Sequence, residues 1–493
     1  MKIYRLIAFF IFLNAGPAFS VVHRVPSQYS TIQAAMNVSV SYDTVLVDPG
    51  IYYETVAFPV NRPGIVFMSS GGSDSTIIDA QYSGTALTLN SISQFPGYRS
   101  VIKGFTVRHG SPNGIYISDL DMRLEDLDVT ENIYSGIYLA SSNTFKKDFR
   151  LKNIRSTNNY IVDTLALGGG IMTNNIRITI TESEFSNNTL NSPVAASGGG
   201  GHFLSSEVFI DRTKACNNHL LFDPLNYVEG AGFVFADCDT IQLVNCLISK
   251  NEMHGNSNYS DGGAIKVSGG SRVFLMNHCT VADNFSGVMI WNSIVFSIIA
   301  AITHNIEFRN SIIWSNSGAS ELGVHGGSFQ VNNCDIKGYF ASANSIHVDP
   351  QFTDTTSYSI AFSSPCVNFG MAGAIEDING DIRPQPSATN PDIGCYEIDQ
   401  VDLAVHEIED HSALFYPTLT SDKLNIKVYK QITDGSVIIY TSAGAKVRQY
   451  PLCQQILEGD ILSIDIADLP SGIYIAKIFS GKAELGEGKI LKQ

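Results

Sequence analysis

An asparagine recurs through the middle of the chain, at Asn132, Asn159, Asn188, Asn218, Asn251, Asn284 and Asn316, at intervals of 27, 29, 30, 33, 33 and 32 residues. Each stands five places after the end of a phrase in which apolar and polar residues alternate: 122–127, 149–154, 178–183, 208–213, 241–246, 274–279 and 306–311, with an eighth copy at 329–334. Alternation of period two marks a strand. A second, glycine-led apolar stretch follows on most copies, at Gly136-Ile137, Gly170-Ile171, Gly232-Phe233, Gly263-Ala264-Ile265 and Gly287-Val288. One period therefore holds at least two short strands and two turns. A repeat of this length with no helical pattern cannot bury its apolar side chains alone, so successive copies have to stack as coils of a solenoid. A parallel β-helix is the economical stack. Its coil spacing of ~4.8 Å sets equivalent asparagines above one another, where their amides can bond along a ladder and satisfy a tight buried turn.

A chain of 493 residues exceeds one ordinary core, but a solenoid escapes that limit because each coil touches only its neighbours. With 31 basic against 47 acidic residues the net charge is −16, which disfavours nucleic acid or an anionic membrane as partner. Residues 1–20 read as a secretory signal peptide: Lys2 and Arg5, the apolar run 6–13, then Ala18-Phe19-Ser20. No later stretch has the length of a membrane span, and the apolar run 294–302 reads as a buried β segment. The mature chain is expected to be a monomer without a transmembrane helix. Of eight cysteines, Cys246, Cys279 and Cys334 share one repeat position with Ser183, Thr213 and Ser311. Stacked free thiols are the plain reading there; a Cys246–Cys279 disulfide stays open on distance grounds.

Taken in order, Tyr29-Ser-Thr-Ile-Gln-Ala-Ala-Met36 reads as a short helix with Ser30 or Thr31 as its N-cap, a lid for the first coil. The phrase Asp43-Thr-Val-Leu-Val-Asp-Pro49-Gly50-Ile-Tyr-Tyr-Glu54 then resembles the opening of the pectate-lyase-like right-handed parallel β-helix superfamily. Phe185-Ser-Asn-Asn188 and Gly262-Gly-Ala-Ile265 are similar to phrases of β-helical surface proteins. Ser364-Pro-Cys366, Asp377-Ile-Asn-Gly-Asp381-Ile-Arg383-Pro384 and Pro391-Asp-Ile-Gly-Cys-Tyr-Glu397 resemble a closing segment of secreted bacterial β-helix proteins, which would cap the last coil, with Cys366 and Cys395 placed to bridge. Residues 399–412 are an acidic linker. From 413 the strand and turn pattern, Leu469-Pro-Ser-Gly-Ile-Tyr474 and the ending Lys489-Ile-Leu-Lys-Gln493 resemble the C-terminal sorting domain of the type IX secretion system, although Pro417-Thr-Leu419 stands where that family commonly has Pro-Asn-Pro. The resemblances imply an all-β chain: a right-handed parallel β-helix over 21–355 with a short N-terminal capping helix, a closing segment over 356–398 and a small β-sandwich over 413–493. They also imply the type IX machinery as a partner and the outer surface of a Gram-negative cell as destination.

Phrases of this kind specify architecture better than activity. Aligning the glycine-led strands puts Tyr116, Tyr138, Met172, Phe203, Val234, Lys266 and Met289 on one outward row. Tyr116, Tyr138 and Phe203 are the glycan-binding candidates, because apolar ring faces with polar rims suit sugars. The competing expectation is that the loops at 220–227 and 253–260 fold over the row. Val228-Glu229-Gly-Ala-Gly232 also aligns with Ser260-Asp261-Gly-Gly-Ala264, which stacks Glu229 on Asp261 beside Lys266 and His202. These four are the catalytic candidates, since two carboxylates one coil apart could act as an acid and nucleophile pair or grip a cation; a solvated pair at a turn is the plain alternative. The combined Asp-Asp, Gly-His-Gly and Arg-x-Lys signature of β-helical pectin hydrolases is absent from the sequence. No zinc spacing is present, and calcium is the one cofactor suggested, by the alternation of Asp377, Asn379 and Asp381, which lacks the downstream bidentate Glu of an EF-hand. Two function classes follow: a surface protein that binds polysaccharide or another glycan, with or without lyase or hydrolase cleavage, and a non-catalytic adhesin or structural protein.

Overall fold

Along 176–181 the side chains alternate between buried and exposed, Ile176, Ile178 and Ile180 inward and Arg177 outward, as the sequence pattern requires of a strand covered on one side. The eight copies of the phrase lie in parallel register, Met122 on Phe149, then Ile178, Val208, Ile241, Phe274, Ile306 and Phe329. Opposite them a 10-stranded parallel sheet runs in chain order from Val56–Ala57 to Ser320–His325. Between the two faces lies one continuous apolar core, reaching from Val25 to Ile336. The chain is thus a parallel β-helix, coiled right-handed as same-sheet crossovers are. The computed structural model describes residues 20–90, 100–222, 227–254, 259–286, 294–299, 305–317, 320–325, 329–338, 344–385, 389–398 and 413–492, apart from 418, 433, 443, 453, 454, 458 and 482. The signal-peptide stretch 1–19, the linker 399–412, Gly287-Val288 and Met289 lie outside them. Among the described residues no helix is long and apolar enough to cross a membrane.

Two bends per coil carry the polar repeat. At the first, a residue of positive φ (Glu182, Arg212, Asn245, His278, Asn310) precedes the Ser, Thr or Cys position. That small side chain turns back on a carbonyl two residues earlier, Ser311 on Arg309 at 2.6 Å and Cys246 on Val244 at 3.1 Å, so hydroxyl and thiol do the same work. At the second bend the seven asparagines stack with Nδ2–Oδ1 distances of 2.8–3.0 Å from Asn132 to Asn316. Asn316 then donates through its amide to Glu321 Oε2 at 2.7 Å and through its backbone N–H to Oε1 at 3.2 Å.

Four coils carry an excursion between the ladder asparagine and the glycine bend. Its outgoing strands, Tyr160–Val162, Thr189–Ser192, His219–Phe222 and Glu252–His254, form an outer side sheet. The returning strands, Leu165–Leu167, Ala195–Ser197, Tyr227–Glu229 and Tyr259–Asp261, form an inner side sheet. Ile161, Leu190, Leu220 and Met253 of the first pack on Ala166, Ala196 and Val228 of the second in a satellite core of their own.

The opening phrase fastens the lid. Helix Ile32–Val38 is capped by Thr31, whose hydroxyl accepts from Ala34 N at 3.1 Å, while Glu54 accepts from Ile32 N at 2.8 Å and Gln33 N at 2.9 Å. Asp43 accepts from Val21 N and Val40 N and meets His23 Nε2 at 3.0 Å. The closing segment departs from the expected cap. Ile346 does bridge Asp335 on the last coil, but the chain then turns back along the flank, where Tyr358 meets Asp283 at 2.7 Å, Cys395 N meets Thr280 Oγ1 at 3.0 Å and Gly394 N meets Asn310 O at 2.8 Å. Apolar residues there, Leu247 and Ala282, already present an outward patch that Tyr358, Ile378 and Tyr396 cover. Arg383 and Glu397, both fully buried, pair at 2.8 Å and bind the segment to itself. The expected Cys366–Cys395 bridge is not formed: the two thiols sit in separate clusters, Cys366 with Ile312 and Cys395 with Leu247. Cys246 and Cys279 are also free thiols, with Cys246 N donating to Cys279 Sγ at 3.4 Å.

Residues 401–493 are a compact unit of their own. Strands of a three-stranded and a five-stranded sheet enclose a core of Leu424, Ile426, Val437, Ile439, Ala476 and Ile478.

Candidate functional site

On the ten-stranded sheet the outward row reads Tyr116, Tyr138, Met172, His202, Val234 and Lys266. This corrects the alignment at one coil. Phe203 pairs with Thr173 and Phe235, is fully buried, and stacks on Phe235 with ring centroids 5.1 Å apart. It is a core residue, and His202 holds the outward place. The run of four glycines at 198–201 hides the frame, because Gly201, not an apolar residue, fills the inward slot before His202. A Cβ on Gly201 would lie 2.9 Å from Ile171 and 3.0 Å from Phe203, so the core leaves that slot no room for a side chain.

The inner side sheet turns its other face to this row. A sharp glycine bend separates the two strands, so residues five apart face each other across it: Ser197 with His202, and Asp261 with Lys266. At the centre of the bend Gly198, Gly230 and Gly262 take φ of 73°, 53° and 71°, a conformation open to glycine. Ser197, Glu229 and Asp261 are in parallel register on successive coils, which brings the expected carboxylates together. Lys266 Nζ donates to Asp261 and lies 3.9 Å from Glu229 Oε1, bridging both acids. Ser197 Oγ and His202 Nδ1 are 2.9 Å apart, and burial pushes the His202 imidazole down to about 4, so it is neutral at neutral pH.

Access decides what this group can do. Lys266 is 1% exposed, Glu229 7% and His202 8%, while the Asp261 side chain keeps 24%. Lys266 and Glu229 tie one coil to the next, His202 meets Ser197 across its own bend, and Asp261 is the member that solvent reaches. Burial of the row follows the side sheets: Tyr116 and Tyr138, on coils that lack them, stay half-buried, whereas Met172 falls to 8% and Val234 to 0%. The burial begins at Met172 and stops short of the two tyrosines; of the loops expected to cover the row, residues 223–226 and 255–258 lie outside the described residues. Their rings meet edge to face with centroids 5.3 Å apart, and burial raises the Tyr138 phenol above its usual value.

Asp377 is not a free calcium ligand. It is fully buried, and its carboxylate accepts from the backbone N–H groups of Asn379 at 2.7 Å, Asp381 at 2.9 Å and Glu397 at 3.1 Å. A polar hollow on another face, lined by Arg155, Glu182, Glu184, Arg212, Lys214 and Asn379, has its central charge matched already, because Arg212 pairs with Glu182 and Glu376. Sequence reasoning missed the Ser197–His202 contact; the signal was the same spacing of five across the glycine bend that joins Asp261 to Lys266.

Residues 414–493 match the family described as Secretion system C-terminal sorting domain. No curated protein matches the chain. Among solved structures, a pectate lyase Pel9A aligns with 14% identity and a TM-score of 0.45 over 77% of this chain and 96% of its own. A pectin methylesterase from carrot aligns with 12% identity and a TM-score of 0.30 over 64% of this chain and 88% of its own. Tailspike protein 2 of Escherichia coli O157:H7 bacteriophage CAB120 aligns with 9% identity and a TM-score of 0.31 over 94% of this chain and 66% of its own.

Proposed function

Starting from a parallel β-helix that carries a type IX secretion C-terminal sorting domain, we propose that this protein is displayed on the outer surface of a Gram-negative cell, where it binds polysaccharide. The observation that carries the reading is the half-buried Tyr116–Tyr138 pair, one coil apart on an outward face that runs into the wall of the inner side sheet. Aromatic side chains one coil apart suit an extended sugar chain, with the polar edge of Asp261 farther along the coils on the inner side sheet. Binding, without cleavage, is the primary reading, because Lys266 ties up both stacked carboxylates. Cleavage is the second reading, and it rests on the register of Glu229 with Asp261 and on the exposure of Asp261.

A polysaccharide panel tests both. Binding should weaken by about tenfold or more in Tyr138→Ala, on the scale of a lost stacking contact of ~1.5 kcal/mol. Unchanged affinity on every glycan bound would remove the tyrosine pair from the reading. If new reducing or unsaturated ends appear, Asp261→Asn should slow their release by ~10²-fold or more. Equal turnover by parent and variant would exclude the carboxylate pair, and neither binding nor turnover across the panel would favour the adhesin.

A further inference from the structure

The ladder asparagine sets a second position on every coil: the residue that follows it opens the outer side sheet. On successive coils these residues are Tyr160, Thr189, His219 and Glu252, each following Asn159, Asn188, Asn218 or Asn251. Strand alternation turns them, with the residues two places on, to the outer face, while Leu190, Leu220 and Met253 point into the satellite core and are fully buried. The outer face is thus the side away from the inner side sheet and from Asp261 and Lys266.

On that face His219 stands in register with Glu252, and His254 follows Glu252 by two residues. The three side chains converge. Glu252 Oε2 lies 2.5 Å from His254 Nε2 and 3.5 Å from His219 Nδ1, and one ligand atom from each residue lies within 4.8 Å of the others. The two imidazole rings are nearly parallel, with centroids 5.9 Å apart and planes 23° from each other. Phe285 flanks His254 on the next coil at 5.9 Å and gives the cluster an apolar side. A tetrahedral ion bound at ~2.0–2.1 Å needs donor atoms ~3.3 Å apart, and the two separations from Glu252 bracket that value. The backbone beneath is fixed, since His219 N donates to Asn188 O at 2.9 Å and Glu252 N to Asn218 O at 2.8 Å. Small side-chain rotations alone would close the set.

We infer that His219, Glu252 and His254 form a site for a divalent first-row transition ion of the zinc class, with its fourth position open to solvent. Two imidazoles and one carboxylate suit zinc or its neighbours in the first row, and the nitrogen donors disfavour calcium and magnesium, which take oxygen. Three protein ligands leave room for a water or an outside group. The site is independent of the glycan reading, because it uses neither the tyrosine row nor the bend beside it.

The full-length protein, produced without a histidine tag and stripped by chelation, is titrated with zinc chloride by calorimetry and with cobalt chloride by visible absorption. One ion per chain should bind, with the intense visible bands of a four-coordinate cobalt centre. His219→Ala, Glu252→Gln and His254→Ala should each weaken binding by about 100-fold or more, since loss of supporting groups alone costs about 10–100-fold. His219→Ala/His254→Ala should abolish it while the unfolding midpoint of the metal-free chain stays put, because all three side chains are more than a third exposed. No saturable binding, or undiminished binding by the double variant, would overturn the site. Competition by equimolar calcium would overturn the assignment to a transition ion.

Discussion

Asn218 shows how much one side chain holds. Its amide nitrogen donates to Asn251 Oδ1 at 2.8 Å and to Phe185 O at 2.9 Å, while its oxygen accepts from Asn188 Nδ2 and Asn188 N, each at 3.0 Å. Asn218→Leu would leave Asn188 N without its acceptor and remove one bond each from Asn188 Nδ2, Asn251 Oδ1 and Phe185 O, all buried, and should destabilise the β-helix by ~1–3 kcal/mol, read as a shift of the denaturation midpoint. A midpoint unchanged from the parent would mean that water substitutes for the amide. Glu321 gives a second prediction at this scale. Burial pushes its carboxyl up to about 7, against the opposing hydrogen bonds from Asn316. Its folded value lies above the unfolded one, so the stabilisation from holding its proton is complete below pH ~4.3 and is lost as pH rises through 7. Buried His202 and His278 have the opposite slope at acid pH, since both are held neutral by burial. The comparison that isolates Glu321 is therefore with Glu321→Gln: between pH 5 and pH 8 the parent should lose stability relative to the variant, and parallel melting curves would refute the assignment. Residues of this kind were legible in part. The seven asparagines could be placed from spacing alone, whereas Phe203 could not, because four consecutive glycines erase the alternation that tells inside from outside.

At the scale of elements, the strand phrases were readable because each buries one face, and that fixes register to the residue. The side sheets were not. Their strands are three or four residues long and, among the described residues, pack Ile161, Leu190, Leu220 and Met253 against Ala166, Ala196 and Val228, too short a pattern to separate from loop sequence. That is also why the exposed half of the tyrosine row and the His219 cluster emerge only with the coils assembled. The opening phrase has the reverse character, since its acidic residues turn out to be fasteners. Glu54 takes two N–H groups at the start of helix Ile32–Val38, so Glu54→Ala should cost ~0.5–2 kcal/mol, the range for a lost cap. Hydrogen exchange should show faster opening of residues 32–38 with the coils beyond untouched; uniform exchange across the β-helix would contradict that localisation.

For the whole molecule, the two units meet different demands. Among the described residues none beyond 400 belongs to the β-helix core, and the C-terminal unit has its own. Deleting residues 413–493 should therefore leave the coil's unfolding midpoint unchanged while the protein fails to reach the cell exterior, as cell fractionation would show. Secretion of the truncated chain at the parental level would count against the sorting role.

The asparagine row also has a direction. Each side-chain amide gives one proton to the next acceptor toward the C-terminal coils, the other going back to a backbone carbonyl from Asn159 onward, and each amide oxygen takes protons from the N-terminal side, from Gly110 N at Asn132 onward. Such a one-way relay can be lengthened by any coil that both takes and gives, but it needs a terminus that only takes. Glu321 has that character when ionised, with one oxygen for the Asn316 backbone and one for its side chain. The length of the array is thus written in a single receiver: a duplicated coil inserted between Asn188 and Asn218 continues the relay, whereas an inserted coil that lacks the asparagine strands a donor on the coil before it.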